Sequence, residues 1–381
     1  MADPPDQTRR RPFFLLPVWG GIGVVGWVRI LARHRFAVHW GRLAFVVLGS
    51  ILAVINSTLG LLQSALLLIR RREANPEPIF ILGHWRSGTT LLHELLALDS
   101  RFGFPSSYAC FVPGHFLVSE CLLGPLVQFL LPRRRPQDDM RWGVERPQED
   151  EFALLACGIR SPYSMFLFPR RDTPDLAYLD FDGVSAAGVE RWKKAHRRFL
   201  GTLAWRDPRP MVLKSPPHTA RLRVLAEAYP RARFIHIVRD PRAVVPSTRN
   251  MIEALGQSFG LQPPDPVYIR SLVFALHERL HRRLDEAWSS VGSDRFLEIR
   301  YEDLVADPKR EMRRIYESLR LGSFDAVEPS IERYFAETRA FKPAKHKLAE
   351  DDRRQIESQC AAMMRRYGYQ SHEDASPPVP R

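Results

Sequence analysis

An arginine, two glycines and two adjacent threonines lie within eight consecutive residues, Gly83-His84-Trp85-Arg86-Ser87-Gly88-Thr89-Thr90. Gly83 and Gly88 have the G-x-x-x-x-G spacing of a phosphate-binding loop. Glycines let such a loop bend until its N–H groups face an anion, and the following helix adds the positive end of its dipole. Thr89 and Thr90 add hydroxyl donors. A nucleoside-triphosphate loop carries Lys directly after the second glycine; here Thr89 stands there, and the basic side chain sits inside the loop as Arg86. No convincing strand ends in an Asp that would hold Mg²⁺. The pattern therefore suits a nucleotide with a phosphate-like 5′ group, bound without a metal ion. Its bland counterpart is a strand-to-helix turn with two chance glycines.

A second constellation lies in RFIHIVRDPRAVVPSTRNM, where Arg239 closes an apolar run and Ser247 follows eight residues later. An Arg at a strand end and a hydroxyl in the next helix can share a second phosphate. An Arg–Asp pair capping a helix would use the same letters. Lys214 ends another short apolar run and either faces the same site or points to solvent.

These residues need a scaffold, and the apolar runs supply one. Ile79–Leu82, Met211–Leu213, Phe234–Val238 and Phe296–Ile299 read as buried strands. Helices are expected over Leu91–Leu98, from Thr219 to Ala228, and after Asp240-Pro241, an N-cap followed by proline at the first helical position. Further helices are expected within 266–290, near 308–319 and over 350–366. Strand, helix, strand at this spacing is a βαβ unit. The fold class is α/β, a parallel sheet flanked by helices, with large helical insertions between residues 105 and 205. Three regions are expected: an apolar or membrane-associated helical N-terminal region (1–75), a globular domain (76–370) and a disordered tail (371–381).

The two constellations together resemble the sulfotransferases that use 3′-phosphoadenosine 5′-phosphosulfate (PAPS). In that superfamily an Arg/Lys-Ser-Gly-Thr-Thr loop holds the 5′-phosphosulfate, which here implies Arg86, Ser87, Gly88, Thr89 and Thr90. An Arg with a Ser eight residues on holds the 3′-phosphate, implying Arg239 and Ser247. RYEDLVADP (300–308) is similar to a C-terminal segment of the superfamily, and GHWRSGTTLLHELL and ERPQEDEFALL resemble its bacterial-type branch, Sulfotransf_3. The resemblance spans roughly residues 76–370 and implies a P-loop NTPase-like fold, PAPS as co-substrate and no metal. Transfer of the sulfuryl group to an acceptor hydroxyl or amine would place Arg86 against the developing charge.

The proton acceptor stays open among several residues. His218, in LKSPPHTARL, lies in a region resembling the one that carries a catalytic His in soluble members. Glu149 and Glu151 in QEDEF are the carboxylate alternatives, although three adjacent acids also suit a solvated helix start; His115 is a further choice. A late basic stretch, FKPAKHKL, offers Lys345 and Lys347 as a loop over the 3′-phosphate or as an exposed loop. WKKAHRRF (192–199) reads as an anion-facing or a solvated basic helix.

Composition narrows the alternatives. The 381 residues carry 56 Lys+Arg against 43 Asp+Glu, a net charge of +13, with only seven lysines. That favours an anionic ligand or surface, but the basic residues are dispersed and no nucleic-acid motif occurs. Four scattered cysteines exclude a disulfide scaffold or a zinc-finger site. Residues 43–69 run without a charge, long enough to cross a bilayer core of roughly 30 Å. They read either as a membrane-spanning or membrane-embedded helix or, given Asn56, Ser57, Thr58, Gln63 and Ser64, as a helix buried against the globular domain. A membrane contact would favour a lipid or glycolipid acceptor; a saccharide or small phenol suits the chemistry equally. Arginine usage suggests a bacterium, with the catalytic domain on the cytoplasmic side. Two rival functions remain: a P-loop kinase dependent on ATP and Mg²⁺, and a non-catalytic binder of PAP or another nucleotide.

Overall fold

A computed structural model describes residues 17–69, 77–130, 143–170, 173–338 and 350–369. Two helices come first, α1 (Val24–Arg33) and α2 (Leu43–Ile69). Strand β1 (Ile79–Leu82) then leads through the glycine loop into α3 (Thr89–Ala97). A long excursion follows, with α4 (Ser107–Phe111), α5 (Phe116–Leu130), α6 (Asp150–Ala156) and α7 (Ala186–Arg206). The chain returns through β2 (Val212–Lys214), α8 (Leu222–Ala228), β3 (Arg233–Val238), α9 (Pro241–Phe259), α10 (Pro266–Ala287) and β4 (Phe296–Arg300). Five helices complete it: α11 (Tyr301–Ala306), α12 (Pro308–Ser318), α13 (Glu328–Thr338), α14 (Glu350–Gln359) and α15 (Ala361–Tyr367). Lys345, Lys347 and the tail lie outside the described residues.

The four strands form one parallel sheet in the order β2-β1-β3-β4. All four residues of β1 are buried because the sheet is covered on both faces. Ile79 and Ile81 point into a core with Ile235, Ile237 and the helices that follow β4. Phe80 and Leu82 point the other way, into a core with Phe234, Trp192 and Leu222. The expected strands are present within a residue or two of their predicted ends. Two helices differ for local reasons. Pro216 and Pro217 first form a 3₁₀ turn (Pro216–Thr219), which delays α8. The single helix expected over 350–366 breaks at Cys360, and Met363 and Met364 join Ile356 in the core.

The N-terminal region shares a core with the rest. Trp19, Ile22, Trp27 and Ile30 pack in one cluster with Leu155, Phe166 and Leu276. α2 lies along this surface; of its polar interruptions Asn56 and Gln63 face inward, whereas Thr58 and Ser64 are exposed. Asn56 Nδ2 donates to the carbonyls of Gly20 at 2.7 Å and Ile22 at 3.2 Å, and its Oδ1 is 3.0 Å from His115 Nε2. Gln63 Nε2 donates to the Pro113 carbonyl at 2.9 Å, and Gln63 Oε1 accepts from Leu117 N–H at 2.9 Å. The opposite face is bare: Val47, Ile51, Val54, Leu61 and Leu62 are exposed, as are Leu122, Leu126 and Phe129 on neighbouring α5. α2 is long and apolar enough to cross a membrane, yet one stripe of it is docked.

If that docking is built on Asn56, Asn56→Leu should lower stability by roughly 2–3 kcal/mol in a urea titration, because it strands buried partners. Val54→Ser on the bare face should cost less than about 0.5 kcal/mol. Equal losses would contradict the docking.

Candidate active site

The carboxyl ends of all four strands lie on one side, and each delivers a residue to one crevice. β1 runs into the loop Gly83–Thr90, β2 ends on Lys214, β3 is followed by Arg239, and β4 by Tyr301. β1 lies between β2 and β3, so the crevice opens where the strand order reverses.

The loop is bound tightly to its neighbours. Gly88 caps α3 in a left-handed conformation, φ +101°, and a Cβ there would collide with the Tyr301 ring. Arg86 also has positive φ, +69°, a strain of order 1–3 kcal/mol for a non-glycine residue and one typical of ligand clamps. Its Nε donates to Ser247 Oγ at 2.9 Å. Arg239 Nη1 donates to the Arg86 carbonyl at 3.1 Å, and the Arg239 guanidinium lies 4.2 Å over the Tyr301 ring. The two sequence constellations thus form one site. Ser87 Oγ donates to the His84 carbonyl at 2.8 Å, and Thr89 is buried at the helix start.

The three acids of QEDEF are not solvated. They dock, one after another, onto the segment that follows β2. Glu149 leaves its own helix uncapped and reaches Lys214, whose Nζ lies 2.6 Å from Glu149 Oε1 and 3.4 Å from Thr90 Oγ1. Tyr163 donates its hydroxyl to Glu149 Oε2; burial first, then Glu149 itself, holds that phenol well above its ordinary pKa. Asp150 accepts from Ser215 Oγ at 2.8 Å, and its Oδ2 lies 2.7 Å from His218 Nε2 and 2.9 Å from His196 Nε2. Burial alone would raise the Asp150 pKa, but the two imidazoles draw it well below the usual carboxylate range. Glu151 pairs with Arg221 and accepts from Ser161 Oγ at 2.6 Å.

Among the candidate proton acceptors, Glu149 is joined to Thr90 of the loop through Lys214 and is the one that keeps some exposure, at 15 % of its side chain. His218 and Glu151 are fully buried in the pairings just described. His115 is buried between Asn56 and Ser119, 2.7 Å from the Ser119 hydroxyl, and ties α2 to α5. Asp150, His196 and His218 have three potential metal-ligand atoms within 4.8 Å of one another. In this arrangement both imidazoles bond to a single carboxylate oxygen.

The sulfotransferase family model matches residues 78–325. The chain is 41 % identical over 359 residues, 93 % of its length and 92 % of the relative's, to a protein of Mycobacterium bovis named omega-hydroxy-beta-dihydromenaquinone-9 sulfotransferase Stf3. A Mycobacterium tuberculosis protein of the same name matches equally. The chain belongs to the sulfotransferase family. Its fold is also that of solved sulfotransferases. STF9 from Mycobacterium avium superposes with a TM-score of 0.62 over 77 % of both chains at 22 % identity. STF1 from Mycobacterium tuberculosis superposes with 0.60 over 92 % of this chain and 94 % of that one at 18 % identity.

In this sulfotransferase, sequence reasoning missed Tyr163, His196, Arg221 and Tyr301 as parts of the site and its support. One signal was available. Lys214, Ser215, His218 and Arg221 supply a partner for each of three consecutive acids. That pairing joins residues 65 to 70 positions apart, which local spacing does not reveal.

His84 of the loop is buried against His277 of α10, with ring centroids 5.4 Å apart. Burial holds His84 down at about 4, and burial with His84 nearby holds His277 at about 3. The unfolded chain binds protons on these residues below about 6.5, while the folded chain refuses them until far lower. Their contribution is therefore fully present above about pH 6.5 and is lost as pH falls through about 4 for His84 and about 3 for His277. Denaturant titrations should show stability dropping over that range. His277→Gln should flatten the drop by up to about 1.4 kcal/mol per pH unit. An unchanged slope would contradict the assignment.

Proposed function

We propose that the chain transfers a sulfuryl group from PAPS to a hydroxyl on a membrane-resident lipid, with Glu149 as the proton acceptor. The observation that carries this reading is the Lys214–Glu149 pair at the edge of the glycine loop, 2.6 Å apart. The donor set suits the nucleotide. Arg86, Ser87, Gly88, Thr89 and Thr90 would hold the 5′-phosphosulfate at a helix N-terminus. Arg239 and Ser247 would hold the 3′-phosphate and discriminate against nucleotides lacking it. PAPS supplies the activated sulfuryl group.

This chain's residues do the rest. Glu149 accepts the proton of the acceptor hydroxyl as the new S–O bond forms. Tyr163 keeps its own proton and steadies Glu149 Oε2. Lys214, between Glu149 and Thr90, neutralises the charge left on the departing phosphate oxygen, with Arg86 beside it. Asp150 and Glu151 do not react; their pairings fix the segment that aims Glu149.

The lipid acceptor rests on two supports. The relatives are named for a hydroxylated menaquinone, and the bare faces of α2 and α5 would hold the enzyme at a bilayer surface. A hydroxylated polyprenyl quinone in mixed micelles is the acceptor to test. Glu149→Gln should lower kcat by roughly 10²–10⁴ while leaving PAP affinity within about twofold. His218→Asn should act on stability more than on kcat. A Glu149→Gln enzyme with normal kcat would overturn the assignment of the base.

A further inference from the structure

A second basic site lies away from the glycine loop. A cavity of about 350 Å³ opens between α1, the start of α7 and the turn after α6, within the roughly 300–1,000 Å³ usual for ligand pockets. Arg29, Arg33, Arg160 and Arg191 all line it. Among the described residues one carboxylate, Asp175, answers them. It lies 2.8 Å from Arg160 Nε and 3.4 Å from Arg33 Nη2. Glu190, next to Arg191, turns instead to Lys193 at 3.1 Å. Arg33 Nε is buried with no hydrogen-bond partner among the described residues. Burial, and then the like charges of Arg160 and Arg29, lower the Arg33 pKa despite Asp175. Among the described residues Arg29, Arg33 and Arg191 face no carboxylate beyond Asp175, which Arg160 shares, and this excess of positive charge is one that an anion would neutralise.

The cavity is built, and it has an apolar rim. Gly26 of α1 meets Gly158 backbone to backbone, and a Cβ at Gly158 would stand 2.9 Å from Gly26 Cα. That approach brings α1 against the cavity wall. Arg29 shares a face of α1 with exposed Val25, one turn back at i−4, and Val28 beside it is exposed as well. α1 is itself joined to α2, whose bare face was described above: Val24 N–H donates to Ser57 Oγ at 2.9 Å and Trp27 Nε1 to Ser50 Oγ at 3.1 Å. A charged cavity bordering an exposed apolar surface matches an amphiphile, with its anionic group inside and its chains on the helices.

We propose that this cavity binds the phosphate headgroup of an anionic membrane lipid. Guanidiniums suit phosphate because their planar donors bond two oxygens at once. The site would hold the enzyme in one orientation on an anionic leaflet, apart from the crevice where transfer takes place. This inference rests on the reading that α2 and α5 meet a bilayer.

The test is flotation of the full chain with phosphatidylcholine vesicles, with and without phosphatidylglycerol. Each arginine near an anionic leaflet is worth roughly fivefold in partitioning. Arg29→Gln with Arg191→Gln should therefore cost about 25-fold of the preference for phosphatidylglycerol, leave binding to phosphatidylcholine unchanged and leave the melting temperature unchanged. The pair Arg282→Gln with Arg354→Gln, exposed on α10 and α14, should keep the preference. Equal loss in both pairs, or no loss in the first, overturns the headgroup site. Inorganic phosphate is titrated in a separate arm at constant ionic strength. If it binds wild type in an Arg29- and Arg191-dependent way while the vesicles show no anionic preference, the ligand is soluble phosphate and the lipid assignment fails. Failure of wild type to bind phosphatidylcholine removes the bilayer reading itself, and the headgroup proposal with it.

Discussion

A nearly dry ion pair, Lys214 with Glu149, joins the sheet to the inserted helices. Lys214 is 2 % exposed and ends β2, so one partner is rigid. Breaking such a pair strands a buried charge and costs several kcal/mol, so neither residue is free to move alone. The neighbouring acids repeat the logic. Asp150 is gripped by Ser215, His196 and His218, and Glu151 by Arg221. Three consecutive carboxylates are thus nailed to one eight-residue segment, 214–221. The two outer acids bracket a hydrogen-bonded centre, and only the first reaches the crevice. In the mechanism proposed above, that asymmetry would separate a reactive carboxylate from two positioning ones without any difference in residue type.

The parallel sheet makes the rest of the site inevitable. All its strands end on one side, so the loop, Lys214, Arg239 and Tyr301 converge although they are spread over more than two hundred residues. Arg239 bonds the backbone of Arg86, and Arg86 bonds Ser247. The subsites proposed for the two ends of the nucleotide are therefore mechanically linked, and the strain at Arg86 is held by contacts from both sides. Gly88 belongs to the same joint, since Tyr301 occupies the space a side chain would need.

Much of this was legible from local spacing. The loop, the Arg239–Ser247 pair and the four strands are short-range patterns in which glycine, hydroxyl and apolar positions carry the information themselves. The acids at 149–151 were read as a choice between catalysis and a solvated helix start, because their partners lie in a distant segment. α2 was ambiguous for a related reason. Hydropathy counts how apolar a helix is, whereas Asn56 and Gln63 matter through the side on which they fall. The structure puts both on the docked stripe and leaves the other side bare. The arginines at 29, 33, 160 and 191 gave no motif at all, since only the fold brings them together.

Calorimetric titration of the full chain in detergent with PAP and with ATP, each with and without Mg²⁺, tests the central claim most directly. The account predicts tight PAP binding that needs no Mg²⁺ and is lost in Arg239→Ala. Mg²⁺-dependent ATP binding with no response to PAP would contradict it and return the glycine loop to phosphoryl-transfer chemistry.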